Sequence, residues 1–310
     1  MVKKEETKET QETEEVFYPT NDYCFKRLFG YKGNEAITQN LLEAILGRKC
    51  EVLEVKSDEV TEKDMSTDKV GVLDVYVKQT DGTQINIEMQ VVEYNAIIER
   101  VLFYWAKKYI ESIKGGDAYT TLKPTKVILI ANFEVKRLKE LKEIATSFEI
   151  LDKKTGKVLL TEDLEIVIID ITKMKKYRTE NKELENWLKF IQDPNKLGGD
   201  ILDKNEAIKE AKKVYDELMA DEHERTLIKL REKYIRDYNT IKEDGYNNGY
   251  NDGKDAGLAQ GLERGQKQGE QKKTIEIAKK MLKENVDVDF IVKMTGLSKE
   301  ELEKLKEGMN

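Results

Sequence analysis

The chain has 310 residues, of which 37% are charged and 39% are hydrophobic, and its formal net charge is −7. This length allows one sizeable domain with an appendage or two small domains, and the mild acidity gives no overall attraction to nucleic acid. Two cysteines and a single histidine, His223, argue against a disulfide scaffold, a cysteine-rich zinc site and histidine-based triads.

The N-terminal segment is predicted to be a disordered acidic tail. Residues 1–15 carry three lysines, six glutamates and almost no apolar side chains. Charges stand where a signal peptide needs an apolar run, and the chain has no stretch of about 20 apolar residues. We therefore expect a soluble, cytoplasmic protein with no membrane partner.

Residues 16–195 predict an α/β domain with a mixed sheet flanked by helices. Two helices begin the domain, one after the polar cluster from Pro19 to Asp22 and one from about Asn34 to Leu46. Nearly continuous apolar runs are typical of strands that are buried on both faces. The predicted strands cover residues 51–56, 126–133 and 164–171, two hairpins cover residues 69–90 and 148–160, and a helix begins at about Ile97 and closes near Gly115 and Gly116.

The hairpin over residues 69–90 is the element around which the domain is built. A three-residue loop of Thr80, Asp81 and Gly82, with Gly82 in the left-handed conformation, fixes its register. A two-residue loop would mix the polar and apolar faces, so we reject it. The chosen register pairs the apolar residues of one face, Val77 with Ile85, Val75 with Ile87 and Leu73 with Met89.

The polar face of this hairpin presents two carboxylates. The same register places Asp74 opposite Glu88, with Gln90 two residues further on. Directly opposed carboxylates, with Cβ atoms roughly 4.5–5.5 Å apart, repel each other if both are ionised. Either one is protonated or a cation lies between them, and hard oxygen ligands suit Mg²⁺ or Mn²⁺. The alternative is an ordinary amphipathic hairpin with a solvated polar face, and the hairpin alone does not decide.

The remainder of the chain predicts an all-α C-terminal region. Residues 196–244 form a charged helical segment, interrupted around His223, which we interpret as a solvated side chain. Residues 245–272 contain seven glycines spaced four apart, from Gly245 to Gly269. Because each glycine costs a helix about 1 kcal/mol relative to alanine, this segment is either a flexible linker or a helix that approaches a partner closely. Oligomerisation is the expected use in both cases.

Residues 273–310 predict a small unit that resembles a helix-turn-helix. Apolar residues define three short helices, and Ser298 with Glu301 forms a capping box at the start of the third. That third helix is half acidic and contains no arginine, which is unsuited to reading a major groove. We therefore favour protein contacts over DNA contacts for this unit.

Taken together, these segments resemble the Rpn family of recombination-promoting nucleases and transposases, within the PD-(D/E)XK nuclease superfamily. The resemblance extends from about Phe17 to the C-terminus. An E-x-Q sequence after an L-D-V strand, followed by a helix with R-x-x-x-Y, is its specific part. The segments that carry it are Asp22–Gly30, Val72–Val75, Ile85–Gln90, Glu99–Tyr104, Gly116–Tyr119 before Pro124, and the glycine repeat that leads to Thr295–Ser298.

The resemblance implies a metal site on the hairpin. Asp74 and Glu88 would be the metal-binding carboxylates, and Asp22 would complete the metal shell from the N-terminal helix. The ion would be Mg²⁺ or Mn²⁺, which activates a water and neutralises charge on the attacked phosphate without a histidine base. For Asp22, a role as helix N-cap is the structural alternative.

The resemblance also implies a set of polar and cationic residues around the metal. Gln90 stands where the superfamily name has lysine, and its amide carries no positive charge. Lys69 or Lys26 would then supply the missing cation. Arg100 and Tyr104, one helical turn apart, would hold the scissile phosphate or brace the sheet. Alternatively, Arg100 is a salt-bridge partner and Tyr104 a core residue.

The function implied by the resemblance is a metal-dependent DNA endonuclease that is associated with recombination or mobile elements and forms a homo-oligomer through its C-terminal helices. The alternative is a non-catalytic assembly or DNA-binding protein on a nuclease-derived fold, which Gln90 and the acidic charge favour. A third hypothesis is a toxin or defence component. No DDE-type triad is apparent in the sequence, so transposase is a family label here.

Overall fold

The computed structural model of the protein describes residues 16–56, 75–93 and 95–308. These residues form two compact units, of which one ends at Asn239 and the other begins at Thr240. The predicted disordered tail lies outside the described residues, as do Lys69, Leu73 and Asp74 of the predicted hairpin.

The first unit alternates helices and strands. Its helices are α1 (Asp22–Phe29), α2 (Glu35–Leu46), α3 (Ile97–Glu111), α4 (Lys182–Gln192), α5 (Gly199–Lys204) and α6 (Glu206–Ala220). Its strands are β1 (Val52–Lys56), β2 (Val75–Gln79), β3 (Gln84–Gln90), β4 (Thr125–Ala131), β5 (Ala145–Phe148) and β6 (Leu164–Asp170). Helix α7 (Glu222–Lys283) begins in the first unit and continues into the second, which also contains α8 (Val288–Thr295) and α9 (Lys299–Glu307).

The described strands form one mixed sheet in the order β1-β2-β3-β4-β6-β5. β3, β4 and β6 run parallel to one another, whereas β1, β2 and β5 pair antiparallel with their neighbours. β4 is buried along its whole length, as its nearly continuous apolar sequence predicts. The predicted α/β class, with a mixed sheet, flanking helices and a helical C-terminal region, is confirmed.

Helices cover both faces of the sheet. On one face, Ile85 and Ile87 of β3 belong to a core to which α1, α2, α4 and α6 also contribute. On the other face, Val127 and Leu129 of β4 form a second core with Val101 of α3. This division follows from the two-residue alternation of side chains along a strand. It leaves α3 as the helix that faces the polar side of β3.

A polar cap and a glycine set the limits of the first two helices. The side chain of Asn21 accepts hydrogen bonds from the backbone N–H groups of Tyr23 at 3.0 Å and Cys24 at 3.2 Å. Asn21 is therefore the N-cap of α1, and Asp22 is the first residue inside the helix. Gly47 ends α2 with a φ of 65°, a left-handed conformation that glycine adopts without steric cost.

The hairpin predicted over residues 148–160 is present as a short pairing, with backbone hydrogen bonds from Asp152 to Val158 and from Leu160 to Ile150, but Phe148 belongs to the strand β5. A single bridge joins Leu151 to Leu159, and the edge strand of the sheet is β5, which pairs with β6. The apolar residues that suggested the second hairpin strand lie at the surface, with Leu160 75% exposed. A short apolar run predicts a buried strand only where a sheet face is available to cover it.

The glycine repeat and the C-terminal helices belong to the second unit, which begins at Thr240. All seven glycines lie inside α7, so of the two predicted forms, a helix or a linker, this segment has the helical form. Ala278, Ile291 and Leu302 form a small core, and the predicted capping box of Ser298 and Glu301 is present at the start of α9. Among the described residues, no helix has both the length and the apolar character needed to span a membrane.

Candidate active site

The hairpin of β2 and β3 has the register that its sequence predicts, as far as the structure describes it. Val75 pairs with Ile87 and Val77 with Ile85 across the two strands. Gly82 adopts a φ of 90°, and the Asp81 carboxylate accepts a hydrogen bond from the backbone N–H of Thr83 at 2.8 Å. The predicted pairing of Asp74 with Glu88 is the next step of this register, but Asp74 lies outside the described residues.

Glu88 is the buried carboxylate of the polar face, with only 2% of its surface exposed. It lies beside Leu129 in the parallel register of β3 and β4, on the face that α3 covers. The Nδ2 of Asn86, two residues earlier on the same face, donates a hydrogen bond to Glu88 Oε1 at 3.3 Å. The Nε of Arg100 lies 3.8 Å from Glu88 Oε2. The Asn86 amide therefore lies at one oxygen of the buried Glu88 carboxylate, and the Arg100 cation lies near the other oxygen.

Arg100 lies near Glu88 of β3 and near Tyr104, which is one turn further along α3. Its guanidinium carbon lies 5.0 Å from the centroid of the Tyr104 ring, within the range of a cation–π contact. About a fifth of the Arg100 side chain remains exposed, whereas Glu88 is almost fully enclosed. The sequence prediction that Arg100 and Tyr104 act together therefore has a geometric basis, and their role at a phosphate stays a prediction.

Gln90 ends β3 and braces the segment that follows. Its side-chain Nε2 donates a hydrogen bond to the backbone carbonyl of Val92 at 3.2 Å. The backbone carbonyl of Gln90 accepts a hydrogen bond from the backbone N–H of Asn132 at 3.0 Å. The first contact holds the amide on the turn after the strand, and the second continues the pairing with β4. A catalytic role for Gln90 stays a prediction.

Asp22 has a different environment from the one that the metal-shell prediction implies. Both of its oxygens contact Arg231 of α7, whose Nε lies 2.8 Å from Oδ1 and 2.9 Å from Oδ2, and Arg231 Nη2 also bonds to Oδ2. Asp22 is 4% exposed, and the neighbouring Lys26 of α1 is 3% exposed. The metal role of Asp22 and the cationic role of Lys26 stay predictions, but the Asp22 carboxylate is already engaged.

A second polar contact joins α1 to the start of α7. Glu224 accepts hydrogen bonds from the Tyr23 hydroxyl at 2.8 Å and from Arg27 Nε at 3.1 Å. Burial raises the pKa of the Tyr23 hydroxyl, and its hydrogen bond to Glu224 raises it further. Neither this cluster nor the Asp22–Arg231 pair was predicted from the sequence, because the partners lie about 200 residues apart in the chain.

Asn86 was not predicted from the sequence either. Its position two residues before Glu88 on the same strand was a usable signal, because side chains at i and i+2 share one face. Burial of this amide beside Glu88 makes it a residue that orients the carboxylate.

The described residues supply part of the ligand set that a divalent cation needs. Glu88 supplies hard carboxylate oxygens inside a buried setting, which is the ligand type that Mg²⁺ and Mn²⁺ prefer. Within residues 16–56, 75–93 and 95–308, no three histidine, cysteine or acidic side chains lie close enough together to hold a metal ion. The second predicted ligand, Asp74, is outside these residues.

Comparison with known protein families gives two matches. A family model described as PD-(D/E)XK nuclease family transposase matches residues 19–245. A model described as the C-terminal helix-turn-helix domain of the Rpn/YhgA-like nuclease family matches residues 271–307. No curated protein and no solved structure gives a significant match to the chain. Both family matches agree with the resemblance found in the sequence.

Proposed function

The chain belongs to the PD-(D/E)XK nuclease family of transposases, with an Rpn/YhgA-like C-terminal helix-turn-helix domain, and from this premise we propose that it is a metal-dependent DNA endonuclease. It acts in the cytoplasm, in recombination or mobile-element movement. The observation that carries the proposal is the buried Glu88 carboxylate on the polar face of the hairpin, with Arg100 beside it. The match of residues 271–307 to a helix-turn-helix domain supports DNA as the partner, whereas the acidic third helix led us to expect protein contacts for this unit.

In this proposal Asp74 and Glu88 hold a Mg²⁺ or Mn²⁺ ion. When bound, such an ion lowers the pKa of a water and offsets charge on the attacked phosphate. Glu88 contributes oxygen ligands from a rigid central strand, and Asn86 fixes the orientation of its carboxylate through the hydrogen bond to Oε1. Apolar side chains of α3 and β4 pack on this face of the sheet.

Arg100 is the best-supported source of the positive charge that Gln90 does not supply. Its Nε lies 3.8 Å from Glu88, and the exposed part of its side chain is available to a phosphate. A guanidinium is always charged and binds phosphate oxygens through a planar fork. Lys69 and Lys26 are the remaining candidates for this role, and Tyr104 keeps Arg100 in place through its ring.

A second candidate function is a non-catalytic DNA-binding or assembly protein on the same fold. The amide of Gln90 hydrogen-bonds the Val92 carbonyl, which is a structural use of the position where a catalytic lysine is expected. In that case the hairpin keeps its fold and the protein binds DNA without a need for metal.

Homo-oligomerisation through the C-terminal helices is part of the proposal. Within the second unit, a Cβ at any of the seven repeat glycines would meet no atom within 4 Å, so packing inside the unit does not require them. We expect leucine at Gly257 and Gly261 to preserve the helix, block close approach of another helix and lower the oligomer mass in sedimentation. An unchanged mass would contradict this interface.

Nicking of supercoiled plasmid in Mg²⁺ or Mn²⁺ tests the proposed activity. Glu88→Gln keeps the shape of the side chain but removes its charge, so it should slow nicking by about 100-fold or more. Glu54→Gln on β1 is the matched control, because Glu54 is a half-exposed carboxylate of the same sheet that pairs with Lys56 and lies apart from Glu88. Equal nicking by wild type and Glu88→Gln contradicts the proposal, and DNA binding without nicking in all three proteins favours the non-catalytic alternative.

A further inference from the structure

The outer side of α3 carries large apolar side chains that face solvent. Leu102 is 44% exposed, and Phe103 and Ile110 are each 64% exposed. In the loop after the helix, Tyr119 is 86% exposed. The opposite side of the same helix is buried in the core with β4, so its amphipathic pattern does not account for these residues. An apolar patch of this kind marks an interaction surface.

The charges along this surface are arranged unequally. Glu99 is exposed near the start of α3, and Lys107 is exposed in its second half, with the exposed Lys114 just beyond the end. Ala106, between Phe103 and Ile110, is small and half-buried. The exposed Glu111 lies at the same end as Lys107 and pairs with it at 4.0 Å, so the net positive charge of this end comes from Lys114. The surface therefore has an acidic end, an apolar centre with a small residue, and an end with a net positive charge. Such a surface is complementary to itself when a second copy lies antiparallel to it.

We propose that this surface, which we call the α3 face (Glu99, Leu102, Phe103, Ala106, Ile110 and Lys114), binds a second copy of the chain. A two-fold axis passes near Ala106 and Lys107. Phe103 of each copy then lies against Ile110 of the other, and Glu99 lies beside Lys114. In a two-fold interface the same patch serves both subunits, which the opposite charges at its two ends permit. Antiparallel packing also places opposite helix dipole ends together.

A second copy fits this face better than nucleic acid does. Its centre is apolar, whereas nucleic acid binds through phosphates that require clustered positive charge. Glu99 and Glu111 are exposed on the same helix and would repel a phosphate backbone. The antiparallel arrangement instead uses Glu99 as a partner for Lys114.

This pairing has a consequence that depends on the proposed nuclease function. Arg100, which contacts Glu88, lies on the same helix as the α3 face. A dimer about this helix carries two copies of the hairpin site related by a two-fold axis, and the two strands of duplex DNA are themselves antiparallel. We expect wild type to cut both strands, and a variant that cannot pair through the α3 face only to nick.

Cysteine cross-linking of the full-length chain tests the interface. The chain has two cysteines: burial raises the pKa of the Cys24 thiol, which leaves it unreactive, and Cys50→Ser removes the other. In that background, Ala106→Cys should give a covalent dimer with a short bismaleimide, because the axis brings the two copies of residue 106 together. Val158→Cys, at an exposed position of the first unit, is the control and should remain monomeric.

Adding Phe103→Glu to Ala106→Cys should reduce the cross-linked dimer at least tenfold, because a charge enters the apolar centre. Circular dichroism checks the fold, and Phe103→Ala serves as the second variant if the glutamate variant misfolds. No dimer from Ala106→Cys, or a dimer that survives both Phe103 variants, overturns the proposal. Cross-linking needs neither DNA nor metal, so it succeeds or fails independently of the nuclease activity.

Discussion

Asp22 and Glu88 are both buried carboxylates with an arginine beside them, and the geometry of the two pairs differs. Asp22 is 4% exposed and receives Arg231 Nε at 2.8 and 2.9 Å on its two oxygens. Glu88 is 2% exposed, and Arg100 Nε lies 3.8 Å from it, beyond the range of a hydrogen bond. The first pair joins two helices, α1 and α7, whereas the second joins a strand to the helix that covers it.

The difference separates a structural ion pair from a candidate reactive one. The short contact binds Arg231 Nε and Nη2 to both Asp22 oxygens and fixes α1 against α7. A longer contact keeps a carboxylate and a guanidinium close together while the arginine retains an exposed part that can meet a phosphate. On this comparison Glu88 is the stronger candidate for a metal ligand, and Asp22 is the stronger candidate for a fold-defining residue.

The largest expected effect is on stability at the first pair. Asp22→Asn should lower the free energy of unfolding of the first unit by about 3–5 kcal/mol, because it leaves the buried Arg231 charge uncompensated. Urea denaturation of the full-length protein measures this change, with Glu54→Gln as a surface control. A loss below about 1 kcal/mol would show that the pair does not hold α1 and α7 together.

The next effect is on activity at the second pair. Arg100→Ala should lower kcat/KM for plasmid nicking by about 10–100-fold, since it removes a charged phosphate contact. Arg100→Lys should recover part of this loss, and Arg231→Lys should instead lower stability. If Arg231→Lys reduces nicking in the folded protein as much as Arg100→Ala does, the distinction between the two pairs fails.

A smaller effect is expected at Asn86. Asn86→Ala removes the hydrogen bond to Glu88 Oε1, so it should weaken Mn²⁺ binding by about tenfold while the fold is retained. Calorimetric titration with Mn²⁺ gives the affinity, and Gln84→Ala, on the same face of β3, is the matched control. Equal Mn²⁺ affinities in the two variants would mean that Asn86 does not orient Glu88.

The smallest effect concerns a third carboxylate, Glu185 of α4. Hydrogen bonds from Lys182 at 2.8 Å and Lys189 at 2.9 Å lower its pKa from 4.5 to about 2. Because the folded-state pKa is depressed, Glu185 stabilises the protein above about pH 4.5, and this contribution disappears as the pH falls to about 2. Glu185→Gln should flatten the acid side of the stability curve in that window. An unchanged curve would contradict the assigned pKa.

The hairpin at the candidate site could be predicted because its determinants are local. The turn at Asp81 and Gly82 and the alternation of apolar residues lie within about 20 positions, and together they allow one register. The structure has that register at Val75 and Val77. The proximity of Arg100 to Glu88 was indicated only by the family resemblance, since a strand and its following helix can pack in several rotations.

The Asp22–Arg231 pair could not be predicted, because 209 positions separate the two residues. Arg231 lies in a charged segment where sequence periodicity does not distinguish a buried arginine from an exposed one. Long-range contacts of this type become visible only in the folded chain. The strand β5 was missed for a different reason, because its four residues, Ala-Thr-Ser-Phe, show no apolar alternation that marks a strand.

Calorimetric titration of Mn²⁺ into wild type and Glu88→Gln tests the central claim most directly, with Glu54→Gln as the control. The claim is that Glu88 binds a catalytic metal ion. We expect wild type and Glu54→Gln to bind Mn²⁺ with the same affinity and Glu88→Gln to lose measurable binding. Equal Mn²⁺ binding by all three proteins, or binding by none, would contradict the metal site and would favour a structural role for the hairpin.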